Sequence, residues 1–121
     1  MTEQTCATPS SMRPRIALYS HDTMGLGHIR RNTLIAQTLI QPPLSAQVLL
    51  VSGIRESGAF ALPPGIDSIT LPAYRKQPDG NYTARALDMP LEQLVALRSQ
   101  TILAALTAFA PQLLIVDNVP R

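Results

Sequence analysis

The stretch ALYSHDTMGLGHIRRN, residues 17–32, joins a short apolar run to a segment with helical spacing. The apolar run, which extends back to Arg15 and ends at Ser20, predicts a first strand. The spacing after Gly27 predicts a helix. Gly25 and Gly27 lie between them, where the chain must reverse direction and where glycine adopts conformations that other residues avoid. The stretch therefore predicts a strand, a glycine turn and a helix, which is the first unit of an α/β fold.

The rest of the chain continues this alternation. Apolar runs at residues 46–52, 66–74 and 113–117 predict three more strands, and turn residues at both ends of 53–65 leave room for a short helix. This order predicts an α/β fold of Rossmann-like type, a parallel sheet with helices on both faces. Ligands of such sheets bind beyond the carboxyl ends of the strands. Residues 21–28, 52–55, 74–75 and 117–118 are expected at that rim.

Two segments in the second half have distinct patterns. Residues 75–85 are polar around Pro78-Asp79-Gly80, which predicts an exposed loop with a turn. Residues 88–109 predict the longest helix, with Asp88 as its N-cap and Pro90 in its first turn. Apolar residues recur on this helix at core-facing spacing, namely Leu91, Leu94, Val95, Ile102, Leu106 and Phe109.

Length and composition bound the class of protein. The 121 residues suit one domain, with a flexible polar lead at 1–14 and a partial Rossmann-like domain at 15–121. The sequence stops directly after the last predicted strand, where a doubly wound sheet ordinarily continues. We therefore expect a truncated piece of a longer domain, with a minimal sheet as the alternative. No apolar run reaches the roughly 18 residues that cross a bilayer.

Charge and cysteine usage exclude several kinds of site. Cys6 is the single cysteine, so the chain forms no internal disulfide and no thiolate cluster, which suits a reducing cytosol. The net charge is +2 and basic residues never run beyond two in succession, which argues against nucleic-acid binding. His21 and His28 with Asp22 do not form a convincing ligand set for a metal.

The glycine turn itself has two interpretations. A helix N-terminus directs unpaired N–H groups and a positive dipole end at any nearby anion, and Arg30 and Arg31 follow in the first turn. The alternative is an inert turn in which His28 only caps the helix. Two specific motifs are excluded. Arg30 occupies the third glycine position of a dinucleotide fingerprint, and no glycine run is followed by the Lys and Ser or Thr of a phosphate-binding P-loop.

At HDTMGLGHIRRNTLIAQTL the sequence resembles the N-terminal acceptor domain of GT-B-fold glycosyltransferases of the family 28 type. That family includes the lipid-linked N-acetylglucosaminyltransferase of peptidoglycan synthesis. Its members begin with a strand, a glycine-rich loop that ends in histidine, and a helix. Here Gly25-Leu26-Gly27-His28 occupies that place. Leu26 replaces a family glycine, and Arg31 stands where the family often has proline.

The resemblance implies roles for residues of this loop. Gly25 and Gly27 would hold the phosphate or sugar of the acceptor, and Arg30 and Arg31 would add positive charge. His28 would act as the general base that takes the proton from the attacking hydroxyl, since a helix N-terminus favours the neutral imidazole. Asp22 would orient a histidine or the acceptor hydroxyl. Asp117, at the end of the last strand, is a second rim carboxylate with a similar role.

The resemblance also implies an activity. The whole enzyme would transfer a sugar from a nucleotide-sugar donor to a hydroxyl of a sugar, lipid or small-molecule acceptor, with no cofactor besides the donor substrate and no metal. The donor would bind a second, C-terminal domain, so this piece alone would be inactive and would associate with that domain or with itself. The expected location is the cytoplasm, including peripheral contact with the inner face of the membrane. The alternative is a non-enzymatic, flavodoxin-like module that binds a phosphate ligand or regulates.

Overall fold

The structure is a computed structural model that describes residues 13–20, 27–53 and 62–117, with side chains in the first helix described from Arg30 onward. The described part of the chain contains eight elements, in the order β1 (Arg15–Ser20), α1 (Gly27–Leu39), β2 (Gln47–Ser52), β3 (Ile66–Thr70), β4 (Tyr74–Lys76), β5 (Tyr82–Ala84), α2 (Leu91–Phe109) and β6 (Leu113–Asp117).

Four of these strands form one parallel sheet in the order β3-β2-β1-β6. In the register of the sheet, Ser20 at the end of β1 pairs with Ser52 of β2 on one side and with Asp117 of β6 on the other. Parallel strands need long crossover connections, and α1 and α2 supply two of them. The predicted α/β fold with a parallel, Rossmann-like sheet is confirmed.

The main core lies on the face of the sheet that α1 covers. Alternate residues of a strand point to one face, so Ile16 and Leu18 of β1 point the same way as their partners Val48 and Leu50 of β2. Ala36 of α1 is completely buried against them. Several half-buried side chains surround this cluster, namely Ile35, Leu39, Ile40, Leu62 and Ile115. Small Ala36 lets the helix approach the sheet closely.

The opposite face of the sheet carries α2. Tyr19 and Val51 point to this face, and together with residues of α2 they line one cavity. Leu94 and Arg98 are the buried residues of α2. The two helices therefore cover opposite faces of the sheet, as the alternating order of elements predicts.

The third strand is shorter than predicted, and the segment after it is not a loop. Leu71 donates its N–H to the carbonyl of Ser52 (2.7 Å), and Pro72, a residue that is rare inside strands, follows at once. β3 therefore ends at Thr70. Tyr74 begins β4, which pairs with β5 as an antiparallel hairpin. The predicted turn at Pro78-Asp79-Gly80 is correct and connects these two strands.

The start of α2 also differs from the prediction. Pro90, with an extended backbone, is the N-cap residue and its side chain makes no capping hydrogen bond, so Asp88 is not the cap. The carbonyl of Pro90 accepts the first helical bonds instead, from Gln93 (3.0 Å) and Leu94 (3.1 Å).

The helix buries fewer apolar residues than its spacing predicts. Leu94 is completely buried, whereas Leu91 and Val95 are about 40% exposed. Ile102, Leu106 and Phe109 are half-buried. The buried position one turn after Leu94 holds Arg98, because the carbonyl of Pro72 and the hydroxyl of Tyr19 offer it polar partners there.

Two further predictions concern the N-terminal lead and the connection between β2 and β3. Most of the lead 1–14 and the proposed short helix near 54–61 lie outside the described residues. Within the lead, Arg13 is held in place, since its Nε donates to the carbonyl of Ser45 (2.9 Å) and its Nη2 to that of Ala46 (3.3 Å). In the described part of the chain, neither helix has the length and apolar character to cross a membrane.

Leu94 provides a direct test of how α2 is anchored. We expect Leu94→Ala to lower the free energy of unfolding by about 2–5 kcal/mol, because it leaves a cavity in a fully buried site. Leu103→Ala makes the same change in the same helix at a side chain that is 66% exposed, and should alter stability by less than about 0.5 kcal/mol. Urea unfolding followed by circular dichroism measures both. Equal losses would contradict this packing.

The exposed edge of the sheet leads to a second prediction. β6 is an edge strand in the described sheet, yet Leu113, Leu114 and Val116 are 42–50% exposed. Exposed apolar edges pair with other chains, so we expect association that grows with concentration in sedimentation velocity. Leu113→Lys should reduce it, whereas Gln100→Lys, with the same added charge on α2, should not. A monomer at all concentrations would show the prediction to be wrong.

Candidate functional site

All four strands of the parallel sheet end on a polar residue. The register places these residues side by side, in the order Asp117, Ser20, Ser52 and Thr70. Ser20 and Ser52 point to the α1 face because they follow Leu18 and Leu50 by two positions. Both serines are almost completely buried. The carboxyl edge of the sheet is therefore a row of two buried hydroxyls flanked by a carboxylate and a third hydroxyl, which we call the rim row.

The first turn of α1 lies over one end of the rim row. The helix begins at Gly27, as predicted, and Nη1 of Arg31 lies 3.4 Å from Oδ1 of Asp117. The Arg31 side chain is 57% exposed and that of Asp117 is 14% exposed. An ion pair this open to water stabilises a protein by at most about 1 kcal/mol. The ion pair is more informative about position than about stability, since it shows that the start of α1 faces the carboxyl edge of the sheet.

Asn32 is the buried polar residue among the side chains of α1 that the structure describes, from Arg30 onward. It lies one helical turn before Ala36, on the face that packs against the sheet, and only 2% of it is exposed. Among the hydrogen bonds that the structure describes, none involves its side-chain amide. Burying an amide without a partner costs about 1–3 kcal/mol, so such a group calls for an explanation, of which a bound water or ligand is one. A ligand that reaches this end of α1 would meet both a donor and an acceptor.

The groups at this rim suit a ligand with hydroxyl or phosphate oxygens. Serine hydroxyls and the asparagine amide both donate and accept, a carboxylate accepts, and the first N–H groups of a helix donate to anions. The described residues include no group of three His, Cys, Asp or Glu side chains that could hold a metal ion. Binding of a polar, oxygen-rich ligand through hydrogen bonds is thus the chemistry that this rim supports.

The residues predicted from sequence are only partly placed. Asp22 and Gly25 lie outside the described residues, and His28 is placed by its backbone alone, in the first turn of α1. Arg30 is exposed on that turn. Arg31 and Asp117 are brought together, although no spacing predicts their contact. The roles of these residues in binding or catalysis stay predictions.

One segment expected at the rim lies elsewhere. Tyr74 is buried at the start of the hairpin, and its ring faces the guanidinium of Arg98 at 4.4 Å. Arg75 is exposed on the same strand. The prediction that residues 74–75 extend the sheet rim is wrong, because the chain leaves the parallel sheet at Pro72.

Of the residues at this edge, the sequence predicted Ser52 and Asp117 at the rim but not Ser20, Thr70 or Asn32. A signal for the row was present in three of the four apolar runs, which finish on Ser20, Ser52 and Asp117, whereas the third run continues past Thr70 to Tyr74. The pairing of these residues depends on register, which sequence does not reveal. From the sequence alone, Asn32 cannot be distinguished from an exposed polar residue of the helix, because its burial is a tertiary property.

Comparisons with known proteins do not identify a family. No family model, no curated protein and no solved structure matches this chain.

The unpaired amide of Asn32 leads to a stability prediction. We expect Asn32→Ala to leave the free energy of unfolding unchanged or to raise it by about 1 kcal/mol, since it removes a buried group without a described partner. Gln37→Ala, an exposed amide on the same helix, is the matched control and should be neutral. Chemical denaturation compares them. A loss above about 1 kcal/mol for Asn32→Ala would show that the amide is satisfied within the protein.

Proposed function

We propose that this chain is the acceptor-side part of a glycosyltransferase, which transfers a sugar from a nucleotide-sugar donor to an acceptor hydroxyl. The observation that supports it most is the rim row beside the first turn of α1. The carboxylate of Asp117 and the first N–H groups of α1 lie at this edge, and in the proposal they bind the hydroxyl of the acceptor and any phosphate attached to it. The resemblance of the sequence to family 28 glycosyltransferases lies in the same region, from the end of β1 to the first turns of α1.

The proposed chemistry is one displacement. The acceptor oxygen attacks the anomeric carbon of the donor sugar, the bond from that carbon to the nucleotide's phosphate oxygen breaks, and the nucleotide leaves with the electron pair. His28 takes the proton of the attacking hydroxyl, and Asp22 orients the imidazole or the hydroxyl. Gly25, Gly27, Arg30 and Arg31 hold an acceptor phosphate or sugar. Asp117 positions Arg31, and Asn32 binds an acceptor oxygen.

The donor has its own site in this proposal. A second, C-terminal domain binds the nucleotide-sugar, and catalysis takes place between the two domains. The chain on its own therefore binds acceptor without turning it over. We place the protein in the cytoplasm, with peripheral contact at the inner face of the membrane where the acceptor is a lipid.

The test uses the product of the complete reading frame with labelled nucleotide-sugars and a panel of sugar, lipid and small-molecule acceptors. We expect transfer, and we expect His28→Gln to lower kcat by about 10²- to 10⁴-fold, the usual contribution of a general base. Asn32→Ala should raise KM for the acceptor, while Gln37→Ala should behave as the unchanged protein. Donor affinity should not change in any of these variants.

Two results would contradict the proposal. Absence of both transfer and donor hydrolysis across the panel would leave no support for a transferase. If a small phosphate ligand still raised the melting temperature of the protein, the chain would be a phosphate-binding module of flavodoxin-like type. An unchanged kcat in His28→Gln would remove that residue from the mechanism.

A further inference from the structure

The strongest unexplained feature lies on the other face of the sheet, between α2 and the strands. A cavity of about 300 Å³ opens there, and its lining is mostly apolar. The lining residues that matter below are Tyr19, Tyr74, Arg98, Ser99, Leu106 and Val116. This cavity is separate from the rim row, which lies on the α1 face.

Arg98 is a charged side chain that is only 3% exposed, and it lines this cavity. Its Nη1 donates to the carbonyl of Pro72 (2.5 Å) and its Nη2 to the hydroxyl of Tyr19 (3.2 Å). The guanidinium also lies over the ring of Tyr74, 4.4 Å from its centre. All three partners are neutral. In the described part of the chain, no carboxylate forms an ion pair with Arg98.

A buried cation without a counter-ion is costly. Removing a charge from water costs several kcal/mol, and neutral hydrogen bonds and an aromatic face offset only part of it. Two hydrogen bonds also use only part of the fork of N–H donors that arginine carries. An anion with two oxygens, such as a carboxylate or a phosphate, matches the remaining donors and supplies the missing charge.

The positions of the charged and apolar lining residues indicate which chemical group the anion carries. The two hydrogen-bond partners of Arg98 are Tyr19, one residue before the end of β1, and Pro72, two residues after the end of β3, so the charged end of the cavity is at the carboxyl edge of the sheet. Leu106 lies two helical turns beyond Arg98, about 12 Å along the helix axis, and marks the apolar end. We propose that the cavity binds an anionic amphiphile, with its carboxylate or phosphate on Arg98 and its hydrocarbon chain between α2 and the sheet.

The cavity and Arg98 would bind this ligand whether or not the chain takes part in sugar transfer, and the glycine loop has no part in this site. The ligand chemistry has two sources, a fatty-acid-like carboxylate and an alkyl phosphate, and both share the single-chain anion. A free inorganic anion would satisfy Arg98 but would leave the apolar part of the cavity in contact with water. A neutral or cationic amphiphile would fill the apolar part and leave Arg98 uncompensated.

The experiment titrates the protein with octanoate, octyl phosphate, octanol, octyltrimethylammonium and inorganic phosphate, each below its micelle-forming concentration. Calorimetry measures affinity, and NMR of arginine side-chain Nε–Hε groups reports whether Arg98 itself responds. We expect octanoate, octyl phosphate or both to bind and shift the Arg98 signal. The neutral and cationic chains and inorganic phosphate should bind at least about tenfold more weakly. The stronger of the two anions identifies the source.

Two variants test the charge of Arg98 and the apolar part of the cavity separately. Arg98→Met should weaken binding of the anionic chain by about tenfold or more, while Arg75→Met, which removes an exposed arginine of the neighbouring strand, should not. If Arg98→Met fails to fold, Ser99→Trp is the second variant. It retains the charge of Arg98 and fills the apolar part of the cavity with a large ring, from a helix position that is exposed. It should abolish amphiphile binding.

Three results would overturn the proposal. One is the absence of binding by either anionic chain. Another is equal binding of octanol or of inorganic phosphate. The third is binding that survives Ser99→Trp without a response at Arg98, since the ligand would then occupy another surface.

Discussion

The in-register parallel pairing of β1 with β2 and β6 is the constraint on which the other features depend. The pairing puts Ile16 and Leu18 beside Val48 and Leu50, so one face of the sheet becomes a continuous apolar surface for α1. The same register aligns the ends of the strands, and the rim row follows from it. A slip of one residue would reverse the faces. It would expose the core residues and turn the serines away from α1.

Two arginines fix α2 to the sheet at opposite ends. Arg15, at the start of β1, donates to the carbonyl of Phe109 at 3.0 Å and lies 5.9 Å from the centre of its ring. Cationic groups near the last carbonyls of a helix are favourable, and Ala110 ends the helix in the left-handed conformation. Arg98 binds the segment after β3 and the end of β1. Leu94, one turn before Arg98, is the fully buried apolar residue of the helix. Between Arg98 and Phe109 no residue of α2 is fully buried, which leaves space for the cavity.

Sequence patterns predicted the parts of this fold that depend on local composition. β1 and β6 begin and end at the predicted residues because apolar runs bounded by polar residues determine them. The hairpin was missed because β4 and β5 have three residues each and mixed polarity, so no periodicity distinguishes them from a loop. Asp88 satisfied the composition rule for an N-cap, but Pro90 already sets the extended backbone there. The register of the strands depends on tertiary contacts, which cannot be read from a single sequence. The complete rim row and the burial of Asn32 and Arg98 follow from that register and those contacts, so they were not predicted.

The two candidate binding regions share an edge of the sheet but not a face, and this separation has a physical consequence. Side chains of adjacent residues in a strand point to opposite faces, so Tyr19 contacts Arg98 on the α2 side whereas Ser20 faces α1. β1 thus contributes neighbouring residues to both regions and is rigid, because it is hydrogen-bonded on both sides. A ligand in the α2 cavity would contact Tyr19, one residue before the end of β1. Val51 of β2 and Val116 of β6 also line the cavity, each next to a residue of the rim row, so coupling between the regions would pass through three neighbouring strand ends. Tyr19→Phe tests the contribution of β1, since it removes the hydrogen bond from Arg98 and retains the ring in the sheet.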